Sequence, residues 1–209
     1  MSILEEIKVS YFERAYKKTP LNDGTTLMEI LDKIREPKPE LKDIISKIRS
    51  TTDHTERTSL KKKNLPAFTT SGVFNTRCQA GLVECSGALC IDLDHLDSSA
   101  IEETRIRLTK YSFVAAAFVS PSGEGLKVIV LHNITDPSLL TSVHKSLYRY
   151  IGNKLEVNTD TSLDLDTSPS NVASACFMSY DKDIYINDEA VPLSIDSKLL
   201  TDERLESTH

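Results

Sequence analysis

The sequence predicts an α+β fold, a core running β-α-β-β-α-β behind an N-terminal stretch of helices. Three observations predict it. Apolar runs of strand length occur at residues 86–93, 113–120 and 126–132, and again at about 173–179. Two segments with helical periodicity separate them, one after Asp97 and one after Asp136-Pro137. A Gly-rich tight turn, Pro121-Ser-Gly-Glu-Gly125, falls between the second and third runs, where a hairpin is required.

The first ~60 residues read as helical. Thr26 to Arg35 places apolar side chains at helical spacing and stops before Pro37 and Pro39. Glu40 to Arg49 repeats the pattern with Leu41, Ile44, Ile45 and Ile48. Lys61-Lys62-Lys63 follows, read equally as a solvated run or as a phosphate contact, and leads into Leu65-Pro66 and the turn-rich Thr69-Thr-Ser-Gly72. The strand 86–93 is followed by a helix over about 99–109, with Asp97 and a capping box of Ser99 and Glu102 at its start. Strand Phe113–Ser120, the tight turn and strand Leu126–His132 come next. The second helix starts at Pro137 and gathers Leu139, Leu140, Val143, Leu147 and Ile151 on one face. A last strand, about Ala173–Ser179, completes the split order of ferredoxin-like, RRM-like sheets, with both helices on one face. The domain expectation is a helical extension at 1–60, a core at 61–190 and an acidic tail or linker at 191–209.

Composition narrows the class. A chain of 209 residues can bury one core, with or without an added subdomain. No apolar run approaches the ~20 residues of a membrane span, and the N-terminus lacks the pattern of a signal peptide. The expectation is therefore a cytoplasmic protein with no membrane partner. Cys78, Cys85, Cys90 and Cys176 form no Cys-x-x-Cys pair and the histidines show no metal-binding spacing, which argues against zinc and against a disulfide framework. His95 reads as a solvated loop residue. Net charge is −6, but residues 181–209 hold eight acidic against three basic side chains, so the body is close to neutral and a local nucleic-acid contact stays open.

The residues with chemistry cluster around one strand. Ile91-Asp-Leu-Asp94 ends an apolar run with two carboxylates at i and i+2, which a strand projects on the same face. Two ionised groups at the end of a buried strand need compensation, and a shared divalent cation supplies it. The turn Ser120-Pro-Ser122-Gly123-Glu-Gly125-Leu-Lys127 offers hydroxyls, two glycines and an ammonium group, the components of a phosphate cradle, although an ordinary hairpin turn has the same composition. The segment 160–168 can bring a third carboxylate from Asp160, Asp164 or Asp166. Ser71-Gly72-Val73-Phe74 with Arg77 sets a turn and a guanidinium upstream. Carboxylates without Cys or a clear His ligand describe a hard-cation site, for Mg²⁺ or Mn²⁺. With a phosphate-binding turn beside it, two such ions suit phosphoryl or nucleotidyl transfer.

These motifs together resemble the archaeo-eukaryotic primase (primase-polymerase) superfamily, and within it the VirE N-terminal, or BT4734-like, domains of bacterial mobile elements and phages. The resemblance covers about residues 60–187. Ile91-Asp92-Leu93-Asp94 matches the first motif, and Ser120 to Lys127 the second, with Lys127 where a histidine sits elsewhere in the superfamily. Asp166-Thr-Ser168 opens the third motif, and Cys176-Phe-Met-Ser-Tyr-Asp181 closes it. The resemblance implies a primase-type fold and two-metal, template-directed nucleotide addition in replication of a mobile element, plasmid or phage. It implies Asp92, Asp94 and Asp166 as the catalytic ligands of two Mg²⁺ or Mn²⁺ ions. Ser120, Ser122, Gly123, Gly125 and Lys127, helped by Arg77, are implied to hold the incoming triphosphate. The implied partners are a single-stranded DNA template, nucleoside triphosphates and a helicase domain or protein. Two positions depart from the pattern, Asn171 where an Asp is usual and Ser174 where an Arg is usual. That departure supports an alternative, a degenerate, non-catalytic single-stranded nucleic-acid-binding module acting with a helicase. The same carboxylates also suit a metal-dependent nuclease.

Overall fold

The computed structural model describes residues 2–21, 24–157, 164–166 and 171–201. In chain order the elements are α1 (Ile3–Glu6), β1 (Lys8–Phe12), β2 (Thr25–Thr26), α2 (Leu27–Arg35), α3 (Pro39–Ser50) and α4 (His54–Asn64), then β3 (Ala67–Thr69), β4 (Gly72–Phe74) and β5 (Leu82–Cys85). The second half holds β6 (Ala88–Asp94), α5 (Ser98–Leu108), β7 (Val114–Val119), β8 (Gly125–Leu131), α6 (Pro137–Lys154), β9 (Asp164–Leu165), β10 (Cys176–Phe177), β11 (Tyr185–Ile186) and α7 (Lys198–Thr201). Among the described residues no helix is long and apolar enough to cross a membrane.

A five-stranded sheet in the order β11-β7-β8-β6-β9 carries the site, and every neighbouring pair in it is antiparallel. A second sheet, β10-β3-β1-β2, and the β4-β5 hairpin pack beside it. Strand alternation divides β6 between two cores. Leu89, Ile91 and Leu93 join Leu140, Val143, Leu147 and Ile151 of α6 in one apolar cluster. Ala88 on the other face joins Ile129 and Leu131 of β8, Phe68 of β3 and Leu27, Ile30 and Leu31 of α2. The large sheet is therefore covered on both faces, by α5 and α6 on one and by the N-terminal layer on the other. Cys90, Asp92 and Asp94 share the face of Ala88, so the carboxylates emerge where that second layer ends.

Local signals explain the helix starts. Thr26 Oγ1 accepts the Glu29 N–H and the Glu29 carboxylate accepts the Thr26 N–H, both at 3.2 Å, a reciprocal cap on α2. Asp136 accepts the Leu139 N–H at 2.7 Å at the start of α6. At α5 one of the two expected caps is present. Asp97, not a Ser99–Glu102 box, holds the end by accepting the Ser99 and Ala100 N–H groups at 2.9 Å.

Two further expectations are corrected. The N-terminal stretch is not wholly helical, because Lys8–Phe12 forms β1 and pairs with β3. The strand expected at 173–179 does not join the site-bearing sheet. It shrinks to Cys176–Phe177, pairs with β3 in the second sheet, and leaves the edge beside β6 to Asp164–Leu165.

Candidate metal and nucleotide site

The register between β6 and its two neighbours builds the site. Asp92 stands opposite Lys127 and Asp94 opposite Gly125 on β8, while Leu93 pairs with Leu165 and Asp94 with Asp164 on β9. Directly opposed residues of an antiparallel pair project on one face. Lys127 Nζ accordingly donates to Asp92 Oδ2, and both side chains are nearly buried. Burial opposes the ammonium charge, but the neighbouring Asp92 carboxylate outweighs it and holds the Lys127 pKa above its ordinary value. The other Asp92 oxygen, Oδ1, is buried without a hydrogen-bond partner. Asp94 is half-buried, and its pKa is raised by that burial and then by the charge of Asp92, with Lys127 opposing.

The third carboxylate arrives through the main chain. The Asp166 N–H donates to the Asp92 carbonyl at 3.0 Å, which continues the β9 pairing by one residue and sets Asp166 opposite Asp92. The reciprocal ladder bond is replaced by a side chain. Tyr148 of α6 accepts the Asp92 N–H at 3.2 Å and donates its hydroxyl to the Asp166 carbonyl at 2.6 Å. Nothing in the sequence pattern singled out Tyr148, since helical periodicity assigns it only to the core face. Asp164 lies opposite Asp94, and its carboxylate is engaged by the exposed His95 ring at 2.8 Å. Asp160 and Ser168 lie outside the described residues.

The turn after β7 is tighter than an open phosphate cradle. The Ser120 N–H donates to the Gly125 carbonyl at 2.8 Å, and the Gly123 N–H to the Ser120 carbonyl at 3.0 Å. Ser120 Oγ and Ser122 Oγ share a hydrogen bond at 3.0 Å. Gly123 is required by its φ of +79°, and Gly125 by its approach to β6, where a Cβ would lie 2.4 Å from the Leu93 carbonyl oxygen. So the structure brings Lys127 to the carboxylates and sets Ser120, Ser122, Gly123 and Gly125 in the adjoining turn. Arg77 is elsewhere engaged. Its guanidinium donates to the carbonyls of Ala15, Lys17 and Ala173 and lies over the Phe12 ring, so it ties loops together and touches none of the carboxylates.

A cavity of about 30 Å³ adjoins the Lys127–Asp92 pair, lined among others by Ser71, Cys90, His144 and Ser174. Two of its lining residues share a hydrogen bond, Ser71 Oγ to His144 Nε2 at 3.2 Å. The position where the resemblance expects an arginine is thus beside the ion pair, occupied by a serine.

Two cations from the N-terminal helices hold the turn and a third follows on α4; the sequence pattern singles out neither arginine and leaves the lysine run open between solvent and phosphate. Arg49 of α3 donates to the carbonyls of Tyr180 at 2.7 Å and Ser120 at 3.3 Å. Arg57 of α4 pairs with Glu124 at 2.6 Å. Lys61 is half-buried one helical turn further on. The lysine run at 61–63 was the available signal, but it did not tell which lysine faces inward.

The family described as BT4734-like, N-terminal domain, matches residues 60–186. The chain belongs to that family. No curated protein and no solved structure matches it. In this BT4734-like domain the matched span runs from the end of α4 through β11, and so contains every residue of the carboxylate face. The donors there are carboxylate oxygens with no thiolate, which suits a hard cation such as Mg²⁺ or Mn²⁺. The orphaned Asp92 Oδ1 is an acceptor such an ion would satisfy, and the Asp92–Asp94 repulsion is one it would relieve. Among the described residues no three His, Cys, Asp or Glu side chains are already gathered as a metal site, and Lys127 holds one Asp92 oxygen.

Proposed function

We propose that this domain is a nucleotidyltransferase of the DNA primase-polymerase type, adding nucleotides on a single-stranded DNA template. The observation that carries the reading is the backbone register, which sets Asp92, Asp94 and Asp166 at neighbouring positions on one end of the sheet, with Lys127 paired to Asp92. The strand order β9-β6-β8-β7 also supports it, since an all-antiparallel sheet in that order suits a ferredoxin-like β-α-β-β-α-β core. The relation of the family to VirE N-terminal domains and the motif resemblance point the same way.

In this reading Asp92, Asp94 and Asp166 hold Mg²⁺ or Mn²⁺. The ions supply Lewis-acid activation of the attacking hydroxyl and neutralise charge on the leaving pyrophosphate. The chain's own groups do the positioning. Lys127 fixes one Asp92 oxygen and leaves the other without a hydrogen-bond partner, available to an ion. Tyr148 sets the spacing between the Asp92 and Asp166 backbones. Ser120 and Ser122 border the site with hydroxyls able to bond phosphate oxygens.

The test is primer extension on single-stranded DNA with labelled nucleotides and Mn²⁺. Asp94→Asn is the cleaner variant, because among the described residues Asp94 holds no ion pair while Asp92 holds Lys127. The intact chain is expected to extend the primer, and Asp94→Asn to lose extension with its fold retained. Extension by both proteins alike would overturn the assignment. A second reading rests on Ser174 beside the ion pair, where an arginine is expected. Tight single-strand binding by a folded chain that extends nothing selects that non-catalytic module, and degradation of the template without addition selects a nuclease.

A further inference from the structure

We propose that Lys61 is the open cationic arm of a phosphate clamp across the carboxylate face, and that its ligand is the triphosphate of an incoming nucleotide. The assignment rests on the nucleotidyl-transfer reading for its ligand, but its geometry is independent of it. The helical hairpin of α3 and α4 is fixed to the turn after β7 at two points. Arg49 bonds the Ser120 carbonyl, and its side chain lies 3.5 Å from where a Cβ on Gly123 would stand. Arg57 pairs with Glu124. Residues i and i+4 of a helix share a face, so Lys61 is presented on the same side of α4 as Arg57, toward the ends of β6 and β8. Lys62 and Lys63 are exposed.

The neighbouring cations are all occupied. Arg49 is held by carbonyls, Arg57 by Glu124 and Lys127 by Asp92. The Lys61 ammonium alone of these four cationic groups has no hydrogen bond or ion pair among the described residues, although the residue is half-buried. A half-buried ammonium without a partner is costly. Its surroundings sharpen the cost, since burial and then Lys127 and Arg57 lower its pKa against the weaker pull of Asp94 and Asp92. A multiply charged anion lying between α4 and β8 would satisfy Lys61 and relieve its repulsion with Lys127 and Arg57. The tight turn at Ser120–Gly125 has spent its Ser120 and Gly123 N–H groups internally, so side-chain cations must supply the phosphate contacts that the turn does not. A triphosphate concentrates its charge at one spot, whereas a DNA strand spreads single charges along its length. The compact site favours the former.

The test uses the full chain, with inorganic triphosphate and oligodeoxythymidine as separate probes, each titrated in Mn²⁺ by calorimetry. Lys61→Met is expected to bind triphosphate roughly tenfold more weakly, the loss of one charge-assisted phosphate contact. Lys61→Arg is expected to retain most of the affinity, Lys62→Met to bind as the intact chain does, and oligodeoxythymidine binding to be equal in all four proteins. Triphosphate binding unchanged in Lys61→Met, or absent from the intact chain, overturns the proposal. Loss confined to oligodeoxythymidine also overturns it and gives the lysine to the template backbone. Primer extension, measured in parallel, separates the two readings. A chain that binds triphosphate through Lys61 but extends nothing retains this site and loses the polymerase assignment.

Discussion

At the scale of single residues, the Lys127–Asp92 pair is the most consequential contact. Asp92→Asn reads as a simple loss of a ligand if the carboxylate is taken alone. In the structure it also strips the counter-charge from a nearly buried ammonium. Breaking a buried pair by removing one partner costs about 3–5 kcal/mol, because the remaining charge is uncompensated. Replacing both partners with neutral groups avoids that penalty. Asp92→Asn and Lys127→Met are therefore expected each to lower the urea midpoint clearly, and the double variant to recover a large part of the loss. A double-mutant cycle from urea unfolding measures the coupling, and additive losses would show that the pair contributes nothing beyond its separate parts. The two aspartates of β6 were legible from sequence because the i, i+2 rule needs only a strand. The partner of Asp92 was not, because the register that places Lys127 opposite it is fixed by packing over a sequence separation of 35 residues.

At the scale of elements, periodicity located β6, α5, β7, β8 and α6 to within about two residues, since each has a long enough apolar pattern. It failed where the element is short or where two sheets compete for it. β1 is five residues with no glycine or proline at its edges, and β9 is two residues. Cys176–Phe177 has strand composition, which says nothing about which sheet it joins. The displaced position is filled by β9, and Tyr148 explains how so short a strand is held in place. Its hydroxyl stands in for the ladder bond between Asp92 and Asp166, so α6 sets the spacing of the two backbone positions that carry these carboxylates. Tyr148→Phe leaves a backbone N–H and a carbonyl without their partner, a loss of about 1–3 kcal/mol. The expected outcome is a modest fall in the urea midpoint, together with weaker Mn²⁺ dependence and lower extension at saturating Mn²⁺. Extension by Tyr148→Phe equal to that of the intact chain would show that β9 keeps its place without α6.

At the scale of the whole molecule, two apolar cores on opposite faces of one sheet leave little room for charge inside, and His132 pays for that position. It sits at the end of β8, where its Nδ1 accepts the Ile134 N–H at 3.2 Å. Burial, and then the charge of His144, pushes its pKa down to about 4 from the ordinary 6.5. The folded chain thus binds fewer protons at this site than the unfolded chain throughout that window. Stability consequently rises with pH between the two values, is fully present above about 6.5, and declines as pH falls toward 4. The contribution is about 1.4 kcal/mol per pH unit within the window, or about 3 kcal/mol in total. Carboxylates elsewhere in the chain add their own acid sensitivity, so the comparison has to be made against a variant. His132→Asn keeps an acceptor near the Ile134 N–H and removes the titrating ring. Urea unfolding at a series of pH values is expected to give a shallower decline below pH 6.5 for His132→Asn, the two curves converging in acid. Parallel curves would mean that His132 carries no proton linkage, and that acid stability of the two-faced sheet is set by its carboxylates alone.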